Sequence, residues 1–473
     1  MSTATRGLHQ HTLLEAAQLV EHRKVSPVEL TDTVLKQIER AEPKINAFIT
    51  VLAEQARAVA KAHEDMISAG YYLGPLHGIP IALKDNLYTK GVRSTAGSKV
   101  LGDFVPEEDA TVTARLKSAG AIIVGKTNMH EFAWGGTTDN PHYGPTRNPW
   151  DPRRFPAGSS GGSGAAVAAR ECFGAIGTDT GGSIRLPAAV NGVTGIRPTI
   201  GRVSNFNIVP LAWSMDTAGP MTRTVADCAT MFNFIAGHDP KDEASARIPV
   251  SDYTAQLNRG VKGIRIGIVP DYFFTHLQPP VHDAVRGALR VLEGQKAEVV
   301  EVEIANIHGN ISAQLTIESA EPSTYHQHWL RTRPQDYGDD VRVLLEVGEM
   351  LLATHYLQAQ RYRTLLRHEF VEAFEHVDVF ICPTLPFVAT PVGDMKVVIE
   401  GGKEEDMLSA IMQYTGVPSL TGLPSMSVPC GFSPDGLPIG MQIIGKPFDE
   451  ATIFRVGHAY QQATDWHTRA PNL

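Results

Sequence analysis

Three short stretches hold side chains able to do chemistry together. They are the lysine of Ala82-Leu83-Lys84-Asp85-Asn86, the serines of "GSSGGSG" from Gly158 to Gly164, and the serine of "GTDTGGSIRLPAA" from Gly177 to Ala189. A serine hydroxyl is a weak nucleophile at neutral pH and needs a base in contact. Lysine serves as that base only when burial or a nearby dipole lowers its pKa. Consecutive glycines let several backbone N–H groups face one point, where they can hold an oxyanion.

Small-residue stretches also have other readings. A linker separates domains, whereas "GSSGGSG" runs straight into the helix-forming "AAVAARE". A phosphate loop needs Lys-Ser/Thr after its glycines, and none follows. Gly158–Gly162 formally matches the GxSxG nucleophile elbow, but "PWDPRRFPA" before it is a poor strand and no histidine stands in a Ser–Asp–His context. The stretch "HEFAW" lacks the second histidine of a zinc-binding HExxH because Trp134 stands there, so His130 reads as structural or surface. No metal is predicted.

In their order and spacing, Lys84, Ser159 and Ser183 make the chain resemble the amidase signature hydrolases. These carry a lysine at a strand end, a Gly-Ser-Ser-Gly-Gly loop and a Gly-Gly-Ser loop. The likeness is strong over 13–240, includes "PTIGRVS" and "SMDTAGPMTRTVAD", and resumes in "LTGLPSMSVPCGF" and "GLPIGMQIIGKPFDEAT". The resemblance implies a catalytic set of Lys84, Ser159 and Ser183, with a cis peptide at Gly158–Ser159. It implies an oxyanion hole from Thr180, Gly181, Gly182 and Ser183, a loop-holding Asp179–Arg185 pair, and supporting roles for Ser160 and Ser163. Phe132, Ala133, Trp134 and Gly135 would wall the acyl side, and no cofactor is implied.

The expected activity is hydrolysis of a small, uncharged, apolar or aromatic amide through an acyl-enzyme on Ser183. Aryl esters and carbamates (an esterase or urethanase role) are included, because they too present a carbonyl to the serine. The expected partner is that small molecule, with no nucleic acid and no membrane, and the chain is expected as a monomer or homodimer. The alternative is the glutaminase (A) subunit of a tRNA-dependent amidotransferase. That component typically has glutamine after Ser-Ile-Arg, where this chain has Leu186.

The surrounding chain must position these residues. Its 473 residues, 42% hydrophobic and 20% charged, suffice for a sizeable core, and the formal charge of -9 argues against nucleic acid or anionic membrane as main partner. The four cysteines lie far apart without a CxxC pair, suiting a reducing cytosol. Met1 to His11 has no signal-peptide pattern, and no stretch approaches the roughly 20 apolar residues of a membrane span. A cytoplasmic protein is expected.

Thr12 with Glu15, and Ser26-Pro27 with Glu29, read as capping boxes opening helices. Ile79 to Lys84 reads as a buried strand, Asp109 as the cap of a helix through Ser118, and Ala121 to Val124 as the next strand. Further on come strands at Ile264–Val269, Val299–Ile304 and Val377–Cys382. Helices are read at Val281–Glu293, at Val341–Glu375 and from Glu450, with a hairpin about "SPDGLP". This alternation predicts one α/β domain over 1–473, a mixed central sheet sandwiched by helices. Its catalytic core is placed at about 70–240 and a variable pocket region at about 306–415.

Overall fold

The runs that read as strands are apolar on both faces, and such strands need cover on both sides. A computed structural model, which describes residues 7–473, gives them that cover in a sheet of eleven strands. The part of the opening stretch before Gly7 lies outside the described residues. In chain order the strands are β1 (Phe48–Val51), β2 (Pro80–Lys84), β3 (Ile122–Thr127), β4 (Gly174–Asp179), β5 (Thr194–Arg197) and β6 (Thr217–Thr222). Then follow β7 (Arg265–Ile268), β8 (Glu298–Glu301), β9 (Val379–Pro383), β10 (Ser425–Phe432) and β11 (Pro438–Gly445). Across the sheet they run β1-β3-β2-β4-β6-β5-β10-β11-β9-β7-β8.

The sheet is mixed. β2 pairs parallel with both β3 and β4, whereas β4–β6 and β10–β11 are antiparallel. Every residue of β2, β3 and β4 is buried. Because β2 and β4 are parallel neighbours, their C-terminal ends emerge together, which brings Lys84 beside Thr178 and Asp179.

Both capping boxes form. Thr12 Oγ1 accepts from Glu15 N at 3.1 Å while Thr12 N donates back to Glu15 Oε2 at 2.8 Å. Ser26 and Glu29 repeat the exchange at 3.1 and 2.9 Å. Asp109 is not a cap. The helix is Thr111–Ser118 with Ala110 at its N-cap, and the Asp109 carboxylate is taken up by Lys117 Nζ at 2.8 Å and Lys90 N at 2.7 Å.

The long helix read over 341–375 is two helices, Asp339–Glu349 and Ala353–Ala373. The first ends just past Gly348, where any Cβ would lie 2.1 Å from Ser319 O. A 23-residue helix, Asn310–Thr332, has no counterpart in the sequence reading. Its buried face mixes Asn310, Gln314, Glu318, Glu321 and Ser323 with Ala313, Ile317 and Leu330. Helix reading from sequence depends on an apolar stripe, and this face does not supply one. Among the described residues no helix is long and apolar enough to cross a membrane.

Candidate active site

Lys84 ends β2 with no exposed surface. Its Nζ lies 2.7 Å from Ser159 Oγ and 2.8 Å from Thr178 Oγ1, and Asn86 Nδ2 donates to the same threonine hydroxyl at 3.1 Å. Burial lowers the Lys84 pKa to about 7, although the nearby Asp179 and Asp216 favour its charged form. A neutral amine at the end of a buried strand can accept a proton near physiological pH.

Ser159 follows a cis Gly158–Ser159 peptide and is fully buried. Ser183 joins the pair through the backbone, since Ser160 N donates to Ser183 O at 3.2 Å. Ser160 Oγ is spent on Thr178 O at 3.1 Å, and Ser163 Oγ on Ile176 O at 3.1 Å and Thr127 Oγ1 at 2.7 Å. Ser160 therefore ties the loop to β4, and Ser163 ties it to both β3 and β4. The GxSxG alternative finds no support in this geometry, because the serine it needs free is engaged.

The loop after β4 is held from both sides. Asp179 sits between Arg185, whose Nη2 donates at 2.8 Å, and Arg197, whose Nη1 donates at 3.1 Å. All three side chains are fully buried. Burial alone would raise the Asp179 pKa, but the Arg185 and Arg197 charges win and hold it well below the usual carboxylate range. Thr180 Oγ1 donates to Asp216 Oδ1 at 2.5 Å. Gly182 has φ +141° and lies so close to Thr415 that a Cβ would sit 2.4 Å from its Oγ1, so only glycine fits. Among the described residues, the N–H groups of Gly181, Gly182 and Ser183 donate to no protein acceptor. Three unspent donors on one turn beside a serine hydroxyl make a place for developing negative charge.

Ser183 lines a small cavity with Ala133, Trp134, Gly135, Gly181, Leu186, Glu318, Leu408 and Met412. Trp134, Gly135, Gly136 and Leu408 also line a larger cavity of about 420 Å³ that extends outward past His130 and Asp340. Of the four residues read as the acyl-side wall, Ala133, Trp134 and Gly135 are there and Phe132 is not. Phe132 and Ala133 both have left-handed backbone, φ 49° and 62°. That bend turns the Phe132 ring into the core, 4.2 Å from the His326 ring and 5.6 Å from Tyr337. Gly135 is required by close approach, since a Cβ there would lie 2.2 Å from His130 Nε2. His130 itself pairs with Asp340 at 2.9 Å.

Sequence reading misses Thr178, Arg197, Asp216 and Glu318 as parts of the site. Arg197 and Asp216 stand in or beside motifs that carry the family resemblance. Nothing in sequence marks Glu318, which arrives from the unread helix.

A large mixed sheet with a buried lysine and two serine loops at its centre defines an enzyme of the amidase class. The amidase family description matches residues 29–454, and the chain belongs to that family as an enzyme acting on carbon–nitrogen bonds. Over 491 residues it is 44% identical to the A subunit of the glutamyl-tRNA(Gln) amidotransferase of Roseiflexus sp. (strain RS-1), covering 98% of this chain and 99% of that protein. The solved A subunit of the same enzyme from Thermotoga maritima superposes with TM-score 0.81 at 33% identity, covering 96% of this chain and 95% of that one. A chain solved in work on a vestigial protein complex and the evolutionary origins of an s-triazine catabolic enzyme superposes at 0.92 with 34% identity, covering 96% and 98%.

These relatives overturn two expectations. The free-standing hydrolase of an apolar amide, ester or carbamate gives way to the tRNA-dependent amidotransferase alternative, since full-length relatives at 41% to 44% identity carry that name. The expected partners, a small molecule alone with no nucleic acid and a monomer or homodimer, fall with it. Leu186 is one side chain, and it is outweighed by agreement over the whole chain.

Proposed function

We propose that the chain is the amide-hydrolysing A subunit of a tRNA-dependent amidotransferase, releasing ammonia from glutamine. The observation that carries this reading is the full-length identity to such proteins. The apolar lining supplied by Trp134, Leu186, Leu408 and Met412 is compatible with it, because glutamine's two side-chain methylenes need an apolar sleeve as an aryl ring does.

In this reading Lys84, neutral, takes the proton of Ser159, which takes that of Ser183. The Ser183 oxygen bonds to the carboxamide carbon, and the carbonyl oxygen becomes an oxyanion held by the N–H groups of Gly181, Gly182 and Ser183. Ser159 then gives its proton to the nitrogen as the C–N bond breaks, and Lys84 returns its proton to Ser159 and is neutral again. Ammonia leaves, because an amide anion is too poor a leaving group to depart unprotonated. Water attacks the glutamyl ester by the same relay, releasing glutamate and restoring Ser183. Asp179, Arg185 and Arg197 only position the loop.

The test is ammonia release from L-glutamine, followed by a coupled dehydrogenase assay, with the chain alone and co-expressed with its companion subunits. Turnover that rises in the assembly is expected. Turnover of 4-nitroacetanilide by the chain alone, with none of glutamine in either setting, would overturn the reading.

A further inference from the structure

The helix Asn310–Thr332 delivers one carboxyl to the reaction cavity without giving it full employment. Glu318 is 1% exposed. Its Oε1 accepts from Gln314 Nε2 at 3.1 Å, whereas its Oε2, buried as well, has no hydrogen-bond partner among the described residues. The carboxyl lies against the oxyanion loop, since a Cβ on Gly181 would be 2.8 Å from Oε1. It lines the same cavity as Ser183.

A buried carboxyl oxygen with nothing to accept from is costly unless a donor reaches it. The neutral donors of the walls, the loop N–H groups and Trp134 Nε1, make no hydrogen bond to it among the described residues. Among the described residues lining the two adjoining cavities there is no lysine or arginine, while Asp139, Asp340 and Asp394 stand along the outer one. Burial raises the Glu318 pKa to about 8; the Gln314 hydrogen bond opposes this, and Asp216 and Asp179 add to the rise. An arriving cation reverses that balance: the carboxyl releases its proton to solvent and becomes an ion-pair partner. Asp340 is paired with His130, but Asp139 and Asp394 carry no ion pair among the described residues; the inner cavity holds an under-used carboxyl, and Ser183 lines it too.

We propose that Glu318 is a specificity-determining residue, which takes the ammonium group of an amino-bearing carboxamide substrate through its free Oε2 beside Ser183. This rests on the carboxamide reading above and adds which end of the substrate is recognised. The main rival role is structural, a prop for Gly181 through the Gln314 contact.

The experiment compares substrates differing only in the amino group. One pair is L-glutamine and 4-carbamoylbutanoate; a second, independent of glutamine, is 6-aminohexanamide and hexanamide. In the wild-type chain, assembled with its companion subunits, the amino-bearing member should have the higher kcat/KM by about 10- to 100-fold, the range of a charge-assisted hydrogen bond. In Glu318→Gln, which keeps the shape, that ratio should collapse toward one, mainly through KM. Equal kcat/KM for both members in the wild type overturns the proposal without recourse to any variant. Equal losses on both members in Glu318→Gln, with the ratio intact, overturn it in favour of the structural role. An ammonium preference on the hexanamide pair without glutamine turnover sustains the Glu318 assignment and rejects the glutamine reading, so the two failures are distinguishable.

Discussion

The layer that carries the reacting groups and the wall that faces it differ in how far their buried polar atoms are bonded. In the layer, Lys84 Nζ meets two hydroxyls, both Asp179 oxygens are bonded and each terminal nitrogen of Arg185 has a partner, while Arg197 Nε and Asn86 Oδ1 are buried without one among the described residues. In the wall, which is the helix Asn310–Thr332, Gln314 Oε1, Glu318 Oε2 and His326 Nε2 are buried without partners among the described residues. The bonds within the layer run between the reacting groups and their supports and fix one geometry, while an open buried atom at a cavity wall is costly until a partner reaches it. The contrast assigns chemistry to the layer and selection to the wall.

Substitutions can break that division, beginning with the largest effect. Ser183→Ala should lower kcat for ammonia release by about 10⁴-fold or more, as loss of a covalent nucleophile does, with thermal stability unchanged in a melting scan. A residual rate above about a hundredth of wild type would place the nucleophile elsewhere.

Lys84→Ala should cost about 10³-fold, within the range of general-base loss. The wild-type pH profile carries the same information. Below about 7 Lys84 is protonated and cannot accept, so kcat/KM should rise with pH through that value and then level off. An activity maximum near pH 5 would contradict the proposed base.

Asp179→Asn attacks position rather than chemistry. It leaves Arg185 and Arg197 as buried charges without their carboxylate, so denaturant unfolding should show about 3–5 kcal/mol of lost stability. A loss below about 1 kcal/mol would mean that the loop is held by Gln442, Thr415 and Ser419 alone, which Arg185 also contacts.

Leu408→Ala, in the apolar lining shared by both cavities, should give the smallest change: about a tenfold rise in KM, with kcat within about threefold. A fall in kcat comparable to that of Lys84→Ala would erase the distinction between layer and wall.

How much of this the sequence disclosed follows the same division. β2 and β3 were legible because their buried runs, Ile79 to Leu83 and Ala121 to Val124, are apolar; β4, which ends on Thr178 and Asp179, was not read as a strand. The three loops were legible because lysine, paired serines and clustered glycines have few joint uses. Phe132 was misplaced because two consecutive left-handed residues reverse its direction, and no sequence signal gives their φ values in advance. The Asn310–Thr332 helix went unread because polar residues break up its buried face. The substrate expectation leaned on Leu186 and Trp134, which were visible, whereas Glu318, which lines the same cavity, sat in the unread helix.

The central claim, that Ser183 is acylated by glutamine, is tested most directly by acid-quenching the assembled enzyme during L-glutamine turnover and mapping the modified peptide by mass spectrometry. The account predicts a γ-glutamyl group on the peptide containing Ser183, absent in Ser183→Ala and accumulating far more slowly in Lys84→Ala. A glutamyl group on Ser159 or Ser160, or ammonia release with Ser183 never modified, would contradict it.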